Sequence, residues 1–123
     1  MTIAYPSPGT LHKYGLTLDD FKRILEAQGG ICPICGKVPN PSKRDGKIRW
    51  VVDHYHRRGW KQLPPEKRKQ FVRGICCWFC NKYYLGKAIT VEKSKNVTAY
   101  LERFENKLER TTSEYDKENS FNT

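Results

Sequence analysis

Arg73-Gly74-Ile75-Cys76-Cys77-Trp78-Phe79-Cys80-Asn81 is the stretch on which the fold turns. Its Cys77-x-x-Cys80 pair has an upstream counterpart, Cys32-Pro33-Ile34-Cys35. Each pair puts two sulfurs on one side of a tight turn, so two turns complete a tetrahedron. A tetrahedral set of four thiolates with no open position is the closed, structural kind of zinc site. The chain between Cys35 and Cys77 is far longer than a simple ribbon needs, so something sizeable is inserted there. Other readings are two disulfides or a redox C-x-x-C, though no βαβ pattern accompanies either pair. A zinc set of Cys32, Cys35, His54 and His56 would leave the second cysteine pair unused. Cys76, the odd cysteine, reads as a small apolar residue pointing inward from a strand.

Working outward, Phe71 to Ile75 suits a short strand that leads into the second pair, and Ile48 to Val52 suits another. The second of these runs into Asp53-His54-Tyr55-His56. In a regular strand Asp53 and His54 would diverge, but a bend at the strand end brings both to one site. Asn81 to Leu85 should begin a helix that stops near Gly86. Asn81 directly follows Cys80, so a metal at the cysteines would fix where it points; taken alone it also suits a helix N-cap. Trp78-Phe79 and Tyr83-Tyr84 read as core and surface of this strand–strand–helix unit, with base stacking a less favoured use.

Upstream, Thr17 with Asp20 makes a capping box, and Leu16 with Phe21 a hydrophobic staple. Leu18, Phe21, Ile24, Leu25 and Gln28 form one face of the resulting helix, which Gly29-Gly30 ends. Residues 1–13, with Pro6, Pro8 and Gly9, read as an irregular arm, and residues 37–47 as loop. Downstream, Thr90 caps a last helix with Glu92 in its first turn. Val97, Tyr100, Leu101, Phe104 and Leu108 line one face of it. Residues 111–123 are polar and read as a frayed tail. The organisation expected is an arm (1–13), one α+β domain (14–110) and the tail (111–123).

The bulk figures fit a small stapled domain. The chain has 123 residues, a hydrophobic fraction of 37% and a charged fraction of 29%. A core that thin usually needs a metal or disulfide. The formal net charge is +10, and the surplus lies entirely on residues 1–110, since beyond them Lys117 faces Glu114, Asp116 and Glu118. Such a field favours a polyanion, and nucleic acid is the commonest one. Residues 57–73 concentrate it: Arg57, Arg58, Lys61, Lys67, Arg68, Lys69 and Arg73 stand against Glu66 alone. The expectation is a grip on the phosphate backbone; the plainer reading is a solvated loop. No apolar signal segment or membrane-length run is visible, so reduced thiols and a cytoplasmic location are expected, with no membrane partner.

The chemistry of Asp53, His54 and Asn81 suits phosphodiester hydrolysis. A carboxylate and an amide carbonyl are hard oxygen ligands for Mg²⁺ or Mn²⁺, and an imidazole deprotonates water near neutral pH. Asp53-His54-x-His56, followed by Arg73-Gly74-Ile75-x-Cys77-x-x-Cys80-Asn81 between C-x-x-C pairs, resembles the phage recombination endonuclease VII family, a branch of the HNH superfamily. Ala27-Gln28-Gly29-Gly30 ahead of Cys32 adds to the resemblance, which spans about residues 14–104.

The resemblance implies a zinc-stapled ββα-metal (HNH, His-Me finger) core flanked by an N-terminal and a C-terminal helix. It implies structural zinc on Cys32, Cys35, Cys77 and Cys80, and catalytic Mg²⁺ or Mn²⁺ on Asp53 and Asn81. His54 would be the general base, and His56 would contact the scissile phosphate or support the site. The activity implied is DNA cleavage, on duplex or branched DNA, leaving 3′-hydroxyl and 5′-phosphate ends. It would suit a phage-encoded nicking, homing or junction-type nuclease in the host cytoplasm. Two departures stand out. Family members pass from D-H-x-H to R-G through a short turn, whereas residues 57–72 intervene here. Leu85-Gly86 also sits one place further from Asn81. A homodimer is compatible with the sequence but nothing in it indicates one. The competing class is a non-catalytic zinc-knuckle module that only binds nucleic acid; such a module needs none of Asp53, His54 and Asn81.

Overall fold

The computed structural model describes residues 2–86 and 89–119, with side chains through residue 107. The chain forms two compact units, residues 1–87 and 88–123. The first is α+β. Its elements are α1 (Pro8–Lys13), α2 (Leu18–Ala27), β1 (Val51–His54), α3 (Pro65–Arg68), β2 (Val72–Cys76) and α4 (Trp78–Tyr83).

The arm expected to be irregular carries α1. The Ser7 side chain caps it by accepting from the Thr10 N–H, and Pro8 opens its first turn. Leu11 from this short helix is buried in the core. Ahead of it the arm pairs with the chain before β1: Ala4 N–H donates to the Ile48 carbonyl (2.8 Å) and Ile48 N–H to the Thr2 carbonyl (2.9 Å). Ile48 thus pairs with the arm, and β1 proper begins later than the sequence suggests, at Val51.

α2 follows its sequence signals. Thr17 and Asp20 make the full capping box, Leu16 and Phe21 are buried, and Gly29 and Gly30 take positive φ at its end. Its last face residue does more than pack. The Gln28 side-chain amide donates to the Ile75 carbonyl and accepts from the Ile75 N–H, both at 2.8 Å. It thereby imitates one residue of a third strand against β2. A Cβ on Gly74 would come within 2.9 Å of Gln28 Oε1. The Gln28 and Arg73-Gly74-Ile75 motifs are therefore two halves of one contact.

β1 and β2 are antiparallel, with Val51 opposite Cys76, Val52 opposite Ile75, Asp53 opposite Gly74 and His54 opposite Val72. The register breaks between Asp53 and His54, leaving Arg73 as the extra residue on β2, as in a bulge. α4 starts three residues earlier than expected. Cys77 is its N-cap, with Sγ accepting from the Cys80 N–H at 3.4 Å. Asn81 therefore sits inside the helix and is not a cap.

The second unit is α5 (Val91–Asn119), capped by Thr90 Oγ1 accepting from the Lys93 N–H (3.1 Å). The residues expected to fray from 111 continue it, because no Gly or Pro occurs between 91 and 119 to stop it. Val97, Tyr100, Leu101 and Phe104 are exposed; Leu108 lies outside the described side chains. Among the described residues no helix is long and apolar enough to cross a membrane.

Candidate metal centre and nuclease site

The two C-x-x-C turns meet. The sulfurs of Cys32, Cys35, Cys77 and Cys80 all lie within 4.8 Å of one another, with Cys35 and Cys77 at 3.9 Å. A tetrahedral zinc with bonds of about 2.3 Å would set sulfur–sulfur edges of about 3.8 Å. The free thiols sit uneasily together. Burial disfavours the Cys32 thiolate, but hydrogen bonds from the Cys35, Cys77 and Ile34 backbone outweigh it and bring the thiol down to about 6. Burial and the neighbouring thiols push Cys80 the other way, far above the usual range. Backbone donors poised for anionic sulfur, beside thiols that cannot all ionise together, fit a divalent cation that neutralises the set. Cys76 is buried outside the cluster, and burial, then the charges of Asp53 and Cys32, push it up to about 12. It remains a core thiol.

Asp53 is 4% exposed. Both of its oxygens accept from Arg73, Oδ2 from Nε at 2.8 Å and Oδ1 from Nη2 at 3.0 Å. The pair holds the Arg73 guanidinium firmly in its charged form. Arg73, expected on the DNA backbone, thus spends its fork on the carboxylate. Asp53 and Arg73 line a cavity of about 220 Å³ with Gly74, Cys76 and Leu85.

His54 lines a separate cavity of about 380 Å³, together with His56, Lys13, Arg57, Trp60 and Lys61. The bulge between Asp53 and His54 therefore does not bring both side chains into one cleft. It does bring His54 to His56, whose ring lies 4.5 Å away. His54 also stacks on Trp60 at 4.2 Å and 26°, and Tyr14 lies 5.4 Å off. Burial lowers the His54 pKa below the usual imidazole value. The charges of His56, Lys13 and Arg73 add to this and Asp53 opposes it. Asn81 is half-buried on α4, which packs against β1.

Residues 57–72 fold as a compact plate rather than a loose loop. Trp60 is buried, and Arg68 lies over its ring at 4.9 Å. The Arg68 guanidinium donates to the carbonyls of Leu63, Lys13 and Lys61 at 2.9–3.0 Å. Lys69 pairs with Asp20 at 3.1 Å. These contacts clip the insertion to α1 and α2, so Arg68 and Lys69 hold the fold. Arg57, Arg58, Lys61 and Lys67 remain exposed. Gly15 (φ +72°) faces the same plate, and a Cβ there would lie 2.0 Å from the Pro65 carbonyl oxygen. Sequence reasoning missed Trp60 and Gln28 as supports of the site. A lone Trp amid basic residues was the available signal for the first.

The first unit is thus a small α+β fold with four cysteines placed to hold a metal ion and a histidine pair at the end of β1. The profile of recombination endonuclease VII matches residues 9–110, and the chain belongs to that family. It is 38% identical over 92 residues to the Gene 59 protein of Mycobacterium phage L5, covering 74% of this chain and 46% of that protein. The Gene 59 protein of Mycobacterium phage D29 is 38% identical over 76 residues, covering 62% and 36%. The chain thus spans less than half the length of these relatives. No solved structure matches it.

Proposed function

We propose that the chain is a phage-type DNA endonuclease using the one-metal chemistry of a ββα-metal (HNH) core. The observation that carries this is the family match, together with Asp53 and His54 at the end of β1 and Asn81 on α4, the helix that follows β2 and packs against β1. The four thiolates would hold structural zinc, fixing α4 at its N-cap and hence Asn81. Asp53 and Asn81 would hold Mg²⁺ or Mn²⁺; their hard oxygens suit it, provided the cation displaces Arg73 from the carboxylate. When bound, that ion supplies Lewis acidity toward the phosphoryl oxygens. His54, neutral near pH 7, accepts the proton of the attacking water, and His56 beside it contacts the phosphate. The products would be 3′-hydroxyl and 5′-phosphate ends. The exposed cations of the plate, Arg57, Arg58, Lys61 and Lys67, would meet the backbone of duplex or branched DNA. The working domain would lie within residues 14–110 and act in the host cell.

The test is nicking of supercoiled plasmid across a metal titration. His54→Ala should bind DNA yet cut roughly 10²–10⁴-fold more slowly, as for a lost general base. Asp53→Ala should be rescued in part by raised Mg²⁺ or Mn²⁺, which His54→Ala should not be. A His54→Ala protein that cuts at the parental rate removes the base assignment. A parent that never cuts DNA with either metal leaves a zinc-knuckle binding module.

A further inference from the structure

α4 buries only Cys80 among its six residues. Trp78, Phe79, Tyr83 and Tyr84 are each more than half exposed, although the sequence pattern places some of them in the core. The chain is short of apolar residues for its own core, so four aromatics left outside mark a surface with another use. They form one continuous group. The Phe79 ring lies 4.7 Å from Tyr83 and 5.8 Å from Tyr84, and Trp78 meets Tyr83 edge-on at 6.0 Å. Lys82 Nζ stands over Trp78 (4.8 Å) and Tyr83 (5.5 Å).

Trp78, Phe79 and Tyr84 line a cavity of about 540 Å³ whose other wall includes Lys37, Val38 and Lys47 and whose one end is the cysteine cluster, at Cys35, Cys77 and Cys80. It is larger than either cavity at Asp53 or His54. A ligand that suits it is flat and aromatic on one side and anionic on the other. A nucleotide has that shape. Base–aromatic stacking tolerates any sequence, since every base has a π-face, and lysines beside the rings meet the phosphates. A zinc tetrathiolate bears net negative charge, so the phosphates belong at the lysines and away from the cysteine end.

We propose that this groove holds unpaired nucleotides of a DNA strand, their bases on Trp78, Phe79 and Tyr84 and their phosphates at Lys37 and Lys47. The inference rests on the DNA-substrate reading above and deepens it: the preferred substrate carries a single-stranded segment next to the cut. Asn81 lies on α4 with Trp78 and Phe79, which places the groove and the proposed metal ligand on one helix.

The test uses the zinc-loaded full chain and two labelled probes, oligo(dT) and a duplex of equal length. Binding is read by anisotropy, and oligomeric state by light scattering. Trp78→Leu and Phe79→Leu should each weaken oligo(dT) binding by roughly five- to hundredfold, the range of one stacked base. Duplex binding should stay within about twofold. Phe79→Tyr, which keeps a ring, should retain oligo(dT) binding and guard against a folding artefact, with zinc content as the second check. Lys37→Gln with Lys47→Gln should lower the oligo(dT) salt slope by up to about 0.7 for each phosphate no longer neutralised. Equal oligo(dT) affinity in the parent and both Leu variants overturns the proposal. So does a dimer that Trp78→Leu converts to monomer without loss of oligo(dT) affinity, since the face then belongs to a second copy. Plasmid nicking is scored separately. Ring-dependent oligo(dT) binding without nicking leaves the groove standing and removes the nuclease reading.

Discussion

His54 sits among neighbours that favour its neutral form: the rings of Trp60 and Tyr14 that bury it, and the electrostatic influence of His56, Lys13 and Arg73, against that of Asp53. A base with a lowered pKa is ready at lower pH, so the acid limb of the cleavage profile should lie below the ordinary value of about 6.5. Trp60→Leu removes part of the burial and should move that limb upward. A limb above the ordinary value in the parent would contradict the geometry. The linked stability has the same sign. The unfolded chain binds this proton more tightly, so the contribution is present above the unfolded pKa and is lost as pH falls through the lowered folded one. Asp53 makes a sharper case. Arg73→Gln leaves its carboxylate buried and unpaired, which should cost roughly 1–3 kcal/mol, less than a fully buried pair because Arg73 is partly exposed. If Asp53 is a metal ligand, Mg²⁺ should restore part of the lost melting temperature in Arg73→Gln and none in Asp53→Ala with Arg73→Gln. A melting temperature indifferent to Mg²⁺ in both would deny Asp53 that role.

At the scale of elements, what was legible in the sequence was what local chemistry decides. The Thr17–Asp20 box, the Gly29-Gly30 stop and the two cysteine turns rest on residues a few places apart, and the structure has all of them. What stayed hidden depends on distant partners. Gln28 looks like one more position on a helix face until Gly74 admits its amide to β2. The 57–72 insertion looks like a basic loop until Arg68 finds three carbonyls and Lys69 finds Asp20. The start of α4 was misplaced because a cysteine was not weighed as an N-cap. Asp53 and His54 were expected to meet at a bend in the strand end; the register does shift between them, and the two side chains line different cavities. The insertion now divides into structural and free cations. Arg58→Gln, Lys61→Gln and Lys67→Gln together should weaken binding to all duplex sequences alike. They should also reduce the log–log salt slope, by up to about 0.9 for each phosphate no longer neutralised. Lys69→Gln should loosen the plate's tie to α2 and leave the slope alone. A slope unchanged in the triple variant would mark the plate as a scaffold for Trp60 and nothing more.

At the scale of the whole molecule, the first unit is assembled from pieces too small to stand singly. Its sheet has two strands, and α1, α3 and α4 have six, four and six residues. Two-stranded sheets and single helical turns are marginal in water by themselves. The buried core is short, and two of its largest fully buried side chains, Cys32 and Cys80, belong to the cysteine cluster itself. The cluster therefore joins the end of α2, through the first knuckle, to the end of β2 and the start of α4. Apparent zinc-binding energies of zinc-finger peptides, about 10–16 kcal/mol, equal or exceed the net stability of a typical domain, about 5–15 kcal/mol. Removing the ion should therefore unfold this unit. Elemental analysis should find about one zinc per chain. A strong chelator should abolish the near-ultraviolet circular dichroism of Trp50 and Trp60, which are buried here. Cys77→Ser should do the same in the presence of zinc, and should also remove the Sγ acceptor that caps α4. Cys76→Ser is the control: its thiol is held up to about 12 and lies outside the four-sulfur set, so it should keep full zinc content despite some loss of packing. A reduced, folded sample without zinc, or a Cys76→Ser protein that loses it, would show that the fold closes by other means.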